Sequence, residues 1–364
     1  MKKVRIAIIT LVALSAFLII KCDKKSDSTP ETQTTTVEQD KANIDNSLDG
    51  ILDCATFLKN GDAAYSVKLF LKMSGGEALS EDWVQMLLDK LDIHFNWDMI
   101  EENGRFDFNA HTGTYSWDRI TEVWNYNQYP NDKIILEFPS HENETSNNVD
   151  LTLHYYTDEF LNFSSDSYWL PKTLYADLKI DQEEIANVKL SNVEFAGGSF
   201  QIPVSAYIEI YAKPFSYHIN YTRETPTRFN FLVDYTNNSG CIFNVNAKCQ
   251  ISHSDYENFD IEEDMSFLEA TVQHGNLKFS GSADIGTLID LDDPTPSQVN
   301  QLVNVDVYYL GIKIGDLEYR EFDDEEEIFI VYKDGSSENT SRYYEDFLDR
   351  LELIVYDFSG EWDK

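Results

Sequence analysis

Acid–base and nucleophilic chemistry need particular side chains at particular spacings, and this chain does not show such a pattern. Its seven histidines are scattered singly along 364 residues, and none belongs to an H-E-x-x-H or Cys/His zinc motif. The G-x-S-x-G elbow, the phosphate-binding loop and the dinucleotide glycine fingerprint are also missing from the sequence. Carboxylates are so numerous that their proximity alone would not identify a glycosidase. We therefore predict a protein that is not an enzyme, with no cofactor and no metal site.

A cysteine directly after an apolar N-terminal run offers a thiol for lipid attachment. The run Ile6–Ile20 follows three basic residues and is shorter than the roughly 20 residues of a membrane-spanning helix, which is typical of a signal peptide over residues 1–21. Cys22 then occupies the place of the lipidated cysteine in a bacterial lipobox. Lys21 stands where a lipobox usually has a small residue, so an uncleaved N-terminal anchor is the alternative. We predict lipidation at Cys22 and attachment to the membrane through that lipid.

The chain is strongly acidic, which restricts its partners. It has 28 Lys and Arg against 65 Asp and Glu, a net charge of −37. Removal of residues 1–21 takes away four basic residues and no acidic one, which leaves 24 against 65, or −41. Such a surface has no basic patch for phosphates, so we predict no nucleic-acid partner. The acidic runs also lack the alternating ligands and central glycine of a calcium loop.

Hydrophobic periodicity divides the remaining chain into three parts. Residues 22–44 show no period and are rich in Thr, Ser, Asp, Glu and Lys, which predicts a disordered tether. Residues 45–104 repeat apolar side chains every three to four positions and predict a helical segment that packs on a sheet. Residues 105–364 alternate with period two, as in "SFQIPVSAYIEIYA", and end in an amphipathic helical pattern. We predict an α+β fold with N-terminal helices, a large curved antiparallel meander and a C-terminal helix.

Four aromatic residues are candidates for contact with a ligand or partner. Tyr207 and Tyr211 fall on the polar, outward side of the alternating strand. Trp117 and Trp124 lie seven residues apart in the segment "GTYSWDRITEVW". Cross-strand aromatic pairing is the alternative interpretation for the tyrosines.

Short motifs near both ends of the chain give a family resemblance. "GTYSW", a second Trp and "FP" lie near the front, and "DGS" followed by "YYEDF" closes the chain. Together with the leader, this layout is similar to uncharacterised lipoproteins of the Bacteroidota. The resemblance implies anchoring in the cell envelope, as an outer-membrane lipoprotein facing the periplasm or the surface. It implies no catalytic residues.

Three functions agree with these observations. The first is a non-enzymatic lipoprotein that binds a partner or supports an envelope assembly. The second is a carrier of a lipid or other hydrophobic ligand in a half-open barrel, which a sheet face sealed by Trp83, Leu87 and Leu91 would contradict. The third is a carbohydrate-binding surface protein, for which exposed, coplanar Trp117 and Trp124 would be the main support.

Overall fold

A computed structural model describes residues 35–60, 82–95, 105–140, 144–163, 166–196, 202–237, 242–291, 293–322, 325–343 and 347–350. The predicted signal peptide and its lipidation site Cys22 lie outside these residues, as does most of the predicted tether. Among the described residues, none of the helices has the length and apolar character needed to cross a membrane.

The described residues include two long helices and several short ones. The helices are α1 (Val37–Asn60), α2 (Asp82–Phe95), a 3-10 turn (Phe108–His111), α3 (Ile261–Asp264), α4 (Ile285–Ile289) and α5 (Pro296–Leu302). Residues 341–343 and 347–350 are also helical. Helix α1 begins inside the range assigned to the tether, so residues 37–44 are helical and that part of the prediction is corrected.

The physical reason for this early start is a capping box. The Thr36 backbone N–H donates to the Gln39 side chain at 2.8 Å, and the Gln39 N–H donates back to the Thr36 hydroxyl at 3.3 Å. This reciprocal pair satisfies two backbone donors that a helix start leaves unpaired. Val37 and Ile44 then bury their side chains.

Strands make up most of the chain. They are β1 (Gly113–Asp118), β2 (Val123–Asn127), β3 (Ile134–Phe138), β4 (Val149–Phe163), β5 (Asp166–Ile180), β6 (Glu183–Phe195), β7 (Pro203–Ala212), β8 (Phe215–Thr225), β9 (Arg228–Asn237), β10 (Ile242–Ile251), β11 (Met265–His274), β12 (Leu277–Ala283), β13 (Val303–Tyr309), β14 (Ile312–Phe322), β15 (Glu325–Tyr332) and β16 (Ser337–Asn339).

The predicted α+β class is wrong, because one 16-stranded sheet dominates the chain. Strands hold 56% of the structure and helices 21%. The strands follow chain order from β16 to β3, after which β1 and β2 complete the sheet. The predicted antiparallel sheet is confirmed, but β1 pairs parallel with β3, which makes the sheet mixed. A period of two shows which side chains share a face, but it does not show which strand edges pair.

The chain divides into two compact units within β8. Unit 1 comprises Met1–Phe57 and Tyr221–Val355, and unit 2 comprises Leu58–Asn220 and Tyr356–Lys364. Each unit has its own hydrophobic core. In unit 1, Val37 and Ile44 of α1 pack with apolar side chains of β12–β15, including Val307, Ile314 and Ile330.

The core of unit 2 forms between α2 and the strands β1–β4. Leu87, Leu91 and Phe95 from one stripe of α2 are buried against this part of the sheet. Spacings of four residues place the three side chains on one face of the helix.

Helix α2 also covers the edge strand β2 and the residue that precedes it. The Lys90 ammonium donates to the Glu122 carbonyl at 2.9 Å, and His94 Nε2 lies 3.1 Å from the Trp124 carbonyl oxygen. Residues four apart on a helix are separated by about 6 Å along its axis, close to the spacing of alternate carbonyls on a strand. The helix can therefore pair with backbone acceptors that an edge strand would leave open.

Candidate functional site

Trp117 and Trp124 belong to the core of unit 2. They lie directly opposite each other in the β1–β2 pair. Their exposed fractions are 4% and 6%, and their rings meet edge to face at 5.5 Å with an interplanar angle of 67°. The Trp124 indole N–H donates to the Leu87 carbonyl at 2.8 Å. The pair is neither exposed nor coplanar, so it offers no stacking platform for a sugar.

Tyr207 and Tyr211 lie on β7, and both are half-buried. In the antiparallel register, Tyr211 faces Asn187 and Tyr207 faces Ser191 of β6, with Lys189 opposite Glu209 between them. Side chains two apart on a strand point to the same face. The two tyrosines therefore share one face of the sheet with a lysine, a glutamate and an amide.

An open groove lies on this face of unit 2. Its volume is about 420 Å³. The lining residues come from β6, β7 and β8: Glu184, Asn187, Glu209, Ile210, Tyr211, Ser216 and His218. We call this site the polar groove. It brings Tyr211 into the lining, and it places Tyr207 at its border, where the tyrosine ring stacks on His218 at 6.2 Å with an interplanar angle of 12°.

The two carboxylates of the polar groove have different partners, a cation for Glu209 and a neutral amide for Glu184. The Lys189 ammonium lies 3.1 Å from Glu209 Oε2, and the Asn187 amide donates to Glu184 at 2.6 Å. Hydrogen bonding to Lys189 is the main cause that lowers the pKa of Glu209, and the same bond raises the pKa of Lys189. Both groups are therefore ionised near neutral pH, and the pair is close to neutral overall.

The polar face continues across β4 and β5. His154 stacks on Tyr175 at 4.6 Å, and its Nε2 atom lies 3.1 Å from Asp177 Oδ1. Asp177 is 3% exposed and is also 3.2 Å from the Lys179 ammonium. Burial of the Tyr175 ring is the main cause that raises the pKa of its hydroxyl. This part of the face repeats the combination of an aromatic ring with paired charges.

The sequence alone does not identify the residues that complete the groove. His218 stands as a single histidine in its strand segment, and Lys189 and Glu209 lie in different strands. Opposite charges at matching positions of two consecutive alternating strands were the available signal, but the strand register is needed to read it.

The opposite face of β6 and β7 is aliphatic. Leu190 faces Ile208 and Val188 faces Ile210, and all four side chains are half-buried. Ile210 is also among the residues that line the groove, but strand alternation directs its side chain to this opposite face. Elsewhere in unit 2, Leu87 and Leu91 of α2 are part of the buried core, so that part of the sheet is filled by protein. The side chain of Trp83, the third residue of the predicted seal, lies outside the described residues.

The polar groove has a serine and a histidine in its lining. Ser216 and His218 both line it, but no hydrogen bond joins these two side chains, whereas a nucleophile and its base are expected within hydrogen-bond reach. Within the described ranges, there is also no cluster of three or more His, Cys, Asp or Glu side chains that could hold a metal ion.

Comparison with known proteins gives no relatives for this chain. No protein-family model, no curated protein and no solved structure matches it.

Proposed function

We propose that this chain is a lipid-anchored, non-enzymatic protein of the cell envelope that binds a partner or ligand at the polar groove of unit 2. The anchor rests on the leader and on Cys22, which give the chain a site for lipid attachment followed by a soluble domain. The Bacteroidota-like layout supports the same location in the outer membrane.

One observation carries the binding role. Tyr207, Tyr211 and His218 present aromatic groups beside paired charges in an open concave part of the sheet. Binding sites are concave surfaces in which a few polar groups set orientation and apolar or aromatic groups supply contact area. Tyrosine suits such a surface because its ring is apolar and its hydroxyl can form hydrogen bonds.

Carriage of a hydrophobic ligand is the second candidate. The half-buried aliphatic side chains of β6 and β7, such as Ile208 and Ile210, support it. The buried leucines of α2 reduce the room for such a ligand over β1–β4. The polar groove is therefore the better supported site.

Site-specific photocrosslinking in the native membrane tests this proposal. A photoreactive phenylalanine derivative replaces Tyr211 in the groove or, as the control, Tyr308 in unit 1. Tyr308 is also a half-buried strand tyrosine on a polar face, with its hydroxyl 2.9 Å from Asp306. We expect a discrete crosslinked product from position 211 and none from position 308. Identical products from both positions, or none from position 211, would contradict a binding role for the groove.

A further inference from the structure

The charge balance of the polar groove indicates the chemical class of its ligand. We propose that the groove binds a neutral oligosaccharide, laid across β6, β7 and β8. This inference rests on the proposed function, because it assumes that the groove is a binding site, and it specifies what is bound there.

The hydrogen-bonded carboxylates of the groove favour a ligand without net charge. Lys189 already neutralises Glu209, and Asn187 already donates to Glu184. A cationic ligand would have to compete with Lys189 for Glu209 and with the Asn187 amide for Glu184, and an anionic ligand would meet two carboxylates. A neutral polyol can instead add hydrogen bonds to the existing pairs, because an ammonium group has three donors and a carboxylate has about four acceptor positions.

The same groups are held in place before any ligand binds. The Lys189 ammonium lies 3.1 Å from Glu209 Oε2, and the Asn187 amide donates to Glu184 at 2.6 Å. Side chains fixed by their neighbours lose less conformational entropy on binding, which favours recognition of hydroxyl groups at defined positions.

Aromatic groups provide the apolar part of the site. A sugar ring has hydroxyl groups at its rim and C–H groups on its faces, so it suits a surface with both rings and polar groups. Tyr211 lines the groove, and the stacked pair Tyr207–His218 borders it. The hydrogen atoms of sugar C–H groups carry a small positive charge, so they are attracted to the negative face of an aromatic ring.

The polar face is also extended in the direction across the strands. Tyr175 of β5 lies opposite Lys189 of β6, which lies opposite Glu209 of β7. Neighbouring strands are about 4.8 Å apart, so similar polar and aromatic contacts recur at that spacing. A linear chain of sugar units could meet them in succession, whereas a single small molecule would use only one.

A basic protein segment is the competing occupant. The net charge of the whole chain, −37, attracts cations to many parts of its surface and does not select this groove. The pairing of Glu209 with Lys189 makes the groove a weaker cation site than an unpaired acidic surface. Salt separates the two occupants, because screening weakens ionic contacts and leaves contacts to a neutral ligand largely unchanged.

Calorimetric titration of the purified full-length protein tests the inference. The probes are maltohexaose, cellohexaose, xylohexaose and mannohexaose, and an arginine-rich peptide is included for comparison. We expect at least one hexasaccharide to bind, with an affinity that is the same at low and high salt. Tyr211→Ala should weaken that binding about tenfold, whereas the control variant Tyr308→Ala in unit 1 should leave it unchanged. Thermal unfolding of both variants checks that the fold is kept.

Three outcomes would overturn the inference. They are the absence of binding by all four hexasaccharides, an equal loss of binding in Tyr308→Ala, and salt-sensitive binding of the arginine-rich peptide alone. If position 211 still crosslinks specifically to a partner in the native membrane, the proposed binding function stands and only the sugar is wrong. If that crosslink is also missing, the proposed function itself fails.

Discussion

The carboxylate of Glu338, in β16 of unit 1, accepts hydrogen bonds from several groups. Lys41 of α1 lies 2.6 Å from its Oε2 atom, and the hydroxyls of Tyr332 and Tyr343 both donate to its Oε1 atom. The two tyrosine hydroxyls are also 2.7 Å apart. Burial raises the pKa of Glu338, but the hydrogen bonds from Lys41 and the two tyrosines together outweigh it, so the pKa is lowered.

This pKa shift predicts an acid-sensitive contribution to the stability of unit 1. Because the pKa of Glu338 is lower in the folded state than in the unfolded state, its contribution is complete above the unfolded pKa. The contribution decreases as the pH falls through the folded pKa. We expect Glu338→Gln to lower the free energy of unfolding by about 2 kcal/mol at neutral pH, with a smaller difference in acid. Denaturant unfolding of the wild type and the variant, at neutral pH and in acid, measures this difference in the free energy of unfolding.

A suitable control is Glu318→Gln in the same unit. Glu318 pairs with Arg320 at 2.8 Å, and its side chain is 42% exposed. Ion pairs at exposed positions contribute about 0–1 kcal/mol. The role given to Glu338 would be contradicted if Glu338→Gln lowered the free energy of unfolding no more than this control does. It would also be contradicted if the effect of Glu338→Gln were as large in acid as at neutral pH.

The contact of His94 in α2 with the edge strand β2 leads to a second stability prediction. Removal of the His94 imidazole removes its contact with the Trp124 carbonyl oxygen. The edge of β2 is then more open to solvent. We expect His94→Ala to lower the free energy of unfolding by about 1 kcal/mol and to speed amide hydrogen exchange in Val123–Asn127. Hydrogen exchange with mass spectrometry measures the second effect.

Ile93→Ala is the matched control on the same helix, because Ile93 is 83% exposed. Its side chain does not lie in the core, so its removal should leave exchange in β2 unchanged. Equal exchange in the two variants would show that α2 does not protect the strand edge through His94.

The strands and helices differ in how well the sequence predicts them. The alternating segment around Tyr207 predicts a strand, and β7 occupies Pro203–Ala212. The average composition of residues 22–44 predicts disorder, whereas the capping box of Thr36 and Gln39 is a local signal within that range. The start of α1 follows the local signal, because a helix begins where its first backbone donors find partners.

The groove was only partly predictable for a different reason. Tyr207 and Tyr211 are recognised by alternation along one strand. Lys189 and His218 join them through the pairing of β6, β7 and β8, and a shift of one residue in that pairing would send them to the other face. Burial of Trp117 and Trp124 likewise depends on α2, which packs on them from a distant part of the sequence.

The molecule combines a very large sheet with a strongly acidic composition. Sixteen strands in one sheet replace the balanced α+β arrangement that the helical segments suggested. Removal of the predicted signal peptide, residues 1–21, would leave a net charge of −41, which opposes direct contact with anionic headgroups. The proposed function therefore depends on a covalent lipid to hold the protein at the membrane.

Intact mass spectrometry of the protein purified from its native membrane tests this dependence most directly. We predict a mature chain that begins at Cys22 and carries added diacylglyceryl and acyl groups, and a Cys22→Ala variant that lacks this mass and leaves the membrane fraction. A wild-type mass that retains Met1 to Lys21, or that begins elsewhere without lipid, would contradict the anchored binding protein described above.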